Sequence, residues 1–145
     1  VLETYRRAKN GGQGMDTLEK TVALAGHLRH VLVATADGDG LPHIASAGRL
    51  SARGGRVVLA EWFCPGTLAN LQQNRRISIV VWDAEQDLGY QLLGEVEEVK
   101  ELGMLDGYVP GEEDRPPIPQ VERELIANVT KILAFSHGPH SDVAE

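Results

Sequence analysis

The sequence predicts an all-β chain in the broad sense, a β-rich α+β fold built as a six-stranded antiparallel split β-barrel with short peripheral helices. Three features carry that expectation. Extended runs of Val, Ile, Leu and Ala recur along the chain, most of them separated by short turns rich in Gly, Asp and Pro, which join antiparallel neighbours. Only one helix-spaced segment falls between two strands, whereas a parallel sheet needs a crossover helix after nearly every strand. The chain has 145 residues, the size of one domain, and can bury a core without disulfides or a structural metal.

Residues 1–14 are polar and end in G-G-Q-G, which reads as a flexible leader. The barrel domain is expected over residues 15–136, followed by an extended, exposed tail over 137–145. Met15 to Ala25 predicts the first helix: Leu18, Val22 and Ala25 share a face, Asp16 and Glu19 have capping-pair spacing, and Gly26 can end it. His27 to His30 leads into V-L-V-A-T-A, a run suited to a strand buried on both faces. Asp37-Gly38-Asp39-Gly40 turns the chain, Pro42 to Leu50 resumes extended structure, and Ala52 to Gly55 turns it again. Two hairpins therefore precede the stretch around which the rest is organised.

That stretch is Arg56 to Asp83. Arg56 to Trp62 is a Val- and Leu-rich strand, Pro65 and Gly66 break it, Leu68 and Leu71 recur at helical spacing, and Ile77 to Trp82 returns to strand. A helix that starts directly after a strand end presents unpaired backbone N–H groups at a rigid point, which attracts anions and phosphate above all. Thr67 is a candidate N-cap or first-turn hydroxyl there, and Asn70, one turn on, projects an amide to the same side. The plainer reading is that Thr67 only caps a connecting helix.

After an acidic loop, Leu88 to Val99 places Tyr90, Leu92, Gly94 and Val96 on one strand face, and Glu97-Glu98 breaks the alternation as a bulge would. Glu101 to Gly107 predicts a helical turn or two with Leu102 and Leu105 inward. Residues 109–119, rich in Pro and acid, form a surface loop. Val121 to Ala127 leaves helix and strand open, and Val129 to Phe135 is the final strand.

The formal charge of -7 and a pI near 5.2 argue against nucleic acid or an anionic membrane as the main partner. A single cysteine, Cys64, forms no internal disulfide, so nothing points to an oxidising compartment. No apolar run approaches the roughly 20 residues of a membrane span, and charges interrupt the N-terminal segment where a signal peptide would be apolar. A cytoplasmic location is the expectation.

The order of a helix, then G-x-G-x-P-H leading into a strand, then T-L-A-N-L-Q-Q-N-R-R-I-S-I-V, then G-Y-Q-L-L-G-E-V-E-E-V resembles the pyridoxamine 5'-phosphate oxidase-like, FMN-binding split-barrel family over about Asp16 to Phe135. The resemblance implies a homodimer with two FMN molecules in grooves at the dimer interface. Carried over by position, Ser46 and Ala47 approach the ribityl-phosphate side, and Glu61, Trp62 and Phe63 run along the ring edge. Thr67 binds phosphate at the helix start, and Asn70 falls where the family often keeps a polar amide. The family usually places Lys or Arg at or just before the Thr67 position, and true oxidases carry Arg and Lys on the second strand; here those places hold Gly66, Thr67 and Ala45. A phosphate without a basic partner lacks its charge-assisted bonds. Arg49 is the nearest replacement and Arg75 or Arg76 the next, and oxidation of pyridoxamine phosphate itself is not expected.

Other residues have plainer readings beside the functional ones. Trp62 and Phe63 suit a flavin wall, but paired aromatics at a strand end also pack cores and dimer interfaces; Trp82 reads as core. Cys64, beside a helix N-terminus, is either a reactive thiol or a small buried hydrophobe. His137, His140 and Asp142 lie in a Pro-containing tail without rigid geometry, so no metal site is expected; the resemblance, which extends to a haem-degrading branch of the split-barrel family, keeps the tail histidines as candidate haem ligands. His27, His30 and His43 read as ordinary. The expected function is a small dimeric FMN flavoprotein that passes hydride or electrons between small-molecule or redox partners. A deazaflavin-binding reductase of the same fold is the alternative cofactor reading. A cofactor-less ligand-binding or interaction barrel is the alternative in another class.

Overall fold

The computed structural model describes residues 16–143; the expected leader and Met15 lie outside the described residues. The elements are α1 (Thr17–Leu28), β1 (Val31–Ala36), β2 (Pro42–Ala47), β3 (Arg49–Arg53), β4 (Arg56–Ala60), α2 (Pro65–Gln73), β5 (Arg76–Asp83), β6 (Leu88–Leu105) and β7 (Gln120–Ala134). One sheet runs β2-β1-β5-β6-β7-β4-β3 with every pairing antiparallel.

Seven strands stand where six are expected, because the segment from Pro42 to Leu50 does not run unbroken. Ala47 pairs with Val31 of β1, whereas Arg49 pairs with Ala60 of β4. β2 and β3 are the two edges of the sheet. The single residue between them, Gly48, therefore carries the chain from one edge to the other and closes the sheet as a split barrel. Glycine is required by close approach: Gly48 N–H donates to the Glu61 carbonyl at 3.0 Å. A Cβ there would lie 3.0 Å from Glu61 Cβ and 2.6 Å from Glu61 Oε2. The β3–β4 hairpin turns through Gly54 and Gly55, both with positive φ, as a two-residue turn of this hand demands.

Asp16 caps α1 as its spacing predicts, accepting from Glu19 N–H at 2.8 Å. The helix does not end at Gly26. It runs to Leu28 and is stopped by Arg29 in the left-handed conformation, with Arg29 N–H bonded to the Ala25 carbonyl. Its buried stripe is Thr21, Leu24 and Ala25, with Leu18 and Val22 flanking, and it packs on β3, β5 and β6. β1 is buried on one face only, not both: Val31, Val33 and Thr35 point inward while Leu32 is 41% exposed. Inward residues of every layer, among them Leu24, Leu59, Ile79, Leu92 and Leu125, are fully buried, each contributing roughly 1.5–3 kcal/mol of transfer free energy.

The register of β6 against β7 slips between Val96 and Glu98, where the doubled glutamate predicts a bulge. Beyond it β6 continues as strand to Leu105, so the helical turn expected over Glu101 to Gly107 is absent, and Leu102 and Leu105 are exposed. Cross-strand pairing with Gln120 to Glu124 overrides the local helical spacing and settles the open segment Val121 to Ala127 as strand. Residues 136–143 fold into bends and turns instead of an extended tail, with His137 N–H donating to both Asp87 carboxylate oxygens at 3.0 Å. Among the described residues no helix is long and apolar enough to cross a membrane.

Candidate functional site

β4 ends at Ala60, and Glu61 takes a left-handed conformation at φ 56°. That reversal sends Trp62 inward, 3% exposed, and Phe63 outward, 40% exposed. Cys64 is the N-cap of α2 in extended backbone, and Pro65, with its fixed φ, starts the helix. Cys64 makes no side-chain capping bond, and no acidic residue occupies the first turn. In a chain with 21 acidic residues, none falls in the first turn of this helix to offset its positive end.

Thr67 is the third residue of the helix, not its cap. It is 2% exposed, and its Oγ1 has no hydrogen-bond partner; nor does the buried Trp62 Nε1. Both residues line one narrow cleft with Val33, Ala45, Ser46 and Cys64. An unmet buried donor costs about 1–3 kcal/mol, and both groups stand where α2 begins, behind an apolar cleft too narrow in this conformation to admit a water. The Cys64 thiol contributes a weak bond to the Ser46 carbonyl at 3.7 Å, tying the helix start to β2.

The remaining expected site residues spread around this cleft. Ala47 is in the core at 3% exposure. Arg49 is exposed on β3, past the Gly48 corner and outside the cleft lining. Asn70 donates through Nδ2 to Thr35 Oγ1 at 3.0 Å, a bond that ties α2 to β1. Arg75 donates to the Val96 and Glu97 carbonyls, away from the cleft, and Arg76 is exposed on β5. Neither arginine lines the cleft. Sequence reasoning passes over His43, whose Nε2 would lie 3.1 Å from a Cβ on Gly66. Its imidazole thus stands beside the first turn of α2. The signal was the P-H of the turn motif, two positions before the Ala45 and Ser46 that line the cleft.

A larger hollow, about 660 Å³, lies elsewhere, lined by residues of the 107–120 loop itself. Among the described residues no group of three or more His, Cys, Asp or Glu is arranged to hold a metal.

Residues 18–122 match the family model for pyridoxamine 5'-phosphate oxidase. A search of curated proteins finds no match. Among solved structures, the chain is similar to an FMN-binding protein from Syntrophomonas wolfei at 20% identity, covering 95% of this chain and 99% of that one, with a TM-score of 0.63. It is similar to HupZ of Group A Streptococcus at 23% identity, covering 90% and 100%, with a TM-score of 0.60. An F420 reductase matches at 13% identity over 71% and 87%, with a TM-score of 0.50. These likenesses establish a shared fold.

Proposed function

The chain belongs to the pyridoxamine 5'-phosphate oxidase family, and from that premise we propose that it is a cytoplasmic, homodimeric flavoprotein that binds FMN and passes hydride or electrons through it. The observation that carries this reading is the pair of unpartnered buried groups, Trp62 Nε1 and Thr67 Oγ1, at the start of an uncapped helix. A phosphate there accepts from the first-turn N–H groups and from the Thr67 hydroxyl. His43, beside Gly66, offers an imidazole nitrogen to the same first turn, where Gly66 and Thr67 bring no basic side chain. Ser46 is assigned to the ribityl side and the backbone of residues 61–63 to the ring edge, since Trp62 turns inward and Phe63 outward.

Bound FMN supplies the redox chemistry; the chain binds, orients and shields it. The outer surface supports a second copy, because Leu32, Leu41, Ile44 and Phe63 are large apolar side chains left 40% exposed or more. Ala45 and Gly66 stand where true oxidases carry basic side chains, which supports a substrate other than pyridoxamine phosphate. The same missing cations keep the deazaflavin F420 as the second reading.

The test is gel filtration of the purified protein after incubation with FMN or with F420, read by visible absorption. A dimer-sized peak that retains FMN absorbance is the expected result. Retention of F420 alone moves the reading to the deazaflavin, and a colourless peak in both runs overturns it in favour of a cofactor-less barrel.

A further inference from the structure

On the far flank of α2 lies a second groove, of about 280 Å³, that shares no lining residue with the cleft. Its apolar floor is Leu68 and Leu71 of α2 with Val96 and Val99 of β6, and Arg75, Glu101 and Arg123 stand among its polar lining. Its size is near the lower end of small-molecule sites. Three features make it more than a gap between elements.

Arg75 is pinned through Nη1 to the Val96 carbonyl at 3.1 Å and the Glu97 carbonyl at 3.3 Å. Among the described residues no carboxylate pairs with it, since the nearby Glu97 carboxylate is taken by Arg56. Its charge is thus fixed in place, and Nε and Nη2 remain free for an anion. Arg123 is the second cation, with its side chain only 18% exposed. Its partner, Glu101, is held at 3.6 Å, too long for a hydrogen bond, and is itself 72% exposed. A ligand anion that displaces Glu101 therefore returns a mobile side chain to water at little cost. The excess positive charge beside an apolar floor stands out on a chain of net charge -7.

We propose that this groove binds a small amphipathic anion, with its apolar body on Leu68, Leu71, Val96 and Val99 and its carboxylate or phosphate head between Arg75 and Arg123. The two guanidinium groups, Arg75 pinned by backbone carbonyls and Arg123 largely buried, select the charged head, because each offers a planar fork that matches carboxylate and phosphate oxygens. The floor selects against anions without a hydrocarbon body. The site is independent of the flavin reading, and its occupant touches the helix whose first turn carries Thr67.

The experiment is a calorimetric titration of the full chain with hexanoate, benzoate and phenyl phosphate, each beside hexanol and acetate as controls. At least one of the three probes saturates, while hexanol and acetate bind about tenfold more weakly or worse. Arg75→Gln, a surface change, and Arg123→Gln each weaken that probe by about tenfold, and saturating FMN leaves its affinity within twofold. Failure of all three probes to saturate, equal binding of hexanol, or an unaffected Arg75→Gln overturns the proposal. Competition by FMN also overturns it, since the two sites would then be one. Loss of FMN binding with the groove intact would instead overturn only the flavin reading.

Discussion

Two places in the molecule meet the same local problem and resolve it differently. At the β5–β6 turn Asp87 sits in the left-handed region at φ 51°, close to the indole of Trp82; at the β4–α2 junction Glu61 sits there at φ 56°, next to the indole of Trp62. At the first place Trp82 Nε1 donates to Asp87 Oδ1 at 3.1 Å, and His137 N–H donates to both carboxylate oxygens. The rings of Phe135 and His137 meet Trp82 edge-on, with centroids 5.6 and 5.4 Å away. One Gln86 side-chain oxygen stays unpaired on that hairpin, but the acid and the indole answer each other. At the second place the indole is buried with no acceptor, the neighbouring Thr67 hydroxyl likewise, and the strained acid belongs to the Gly48 corner. A strained residue held against a finished network is structural. Strain beside unmet donors has no such network to account for it, and that is what the proposed flavin site rests on.

The sharpest way to break that contrast is Thr67→Val, which removes the hydroxyl and keeps the shape. If Thr67 Oγ1 is reserved for phosphate, FMN affinity falls by about 10- to 100-fold, equivalent to losing roughly 1.5–3 kcal/mol for a charge-assisted bond. The apo protein does not lose stability, because a buried unsatisfied group has gone. Equilibrium dialysis and thermal melts measure the two together. A large stability loss with flavin affinity unchanged would make Thr67 a structural residue and erase the contrast.

The paired region gives the opposite signature. The His137 N–H is the main cause holding the Asp87 carboxyl below its usual range, aided by Trp82 Nε1 and opposed by desolvation. A carboxylate depressed in the native state contributes stability that is present above its unfolded pKa, about 3.9, and is lost as pH falls through the lower native value. Asp87→Asn therefore lowers the denaturation midpoint at pH 7 by a margin that holds down to about pH 5 and closes below about pH 4. Flavin affinity stays unchanged. A midpoint difference that persists undiminished in acid would show that the charge on Asp87 is not what fastens the tail.

Much of this was legible in the residues, and what was not has identifiable causes. Tight turns, the Glu97-Glu98 bulge, the Asp16 cap and the strand–turn–helix from Arg56 are local chemistry and show in the chain. The strand over Glu101 to Leu105 was not legible, because Leu102 and Leu105 have helical spacing and only pairing with β7 makes them extended. The Gly48 corner was hidden for a similar reason: an edge switch depends on two partners, β1 and β4, that are remote in sequence. Within the cleft, Thr67 and Trp62 followed from the turn and the family pattern. His43 did not, since its place beside Gly66 arises only when β2 folds back on the helix start.

The smallest expected effect tests whether the strain at the cleft is held there by the corner. Glu61→Gly removes a non-glycine residue from the left-handed region, which relieves about 1 kcal/mol. It also removes the side chain that fills the space beside Gly48. Gly48→Ala alone should be destabilising by about 1 kcal/mol or more, because its Cβ meets Glu61 Cβ at 3.0 Å. In the Glu61→Gly background the same change loses its three nearest neighbours, so the penalties fail to add, with a coupling of about 1 kcal/mol. A urea-denaturation cycle over the four proteins measures it. Strict additivity would mean that the Gly48 N–H bond to the Glu61 carbonyl, not side-chain exclusion, fixes the corner. Coupling together with weaker FMN binding in Glu61→Gly would mean that the corner and the cleft share this one residue. The barrel would then be closed and its cofactor edge set by the same left-handed turn.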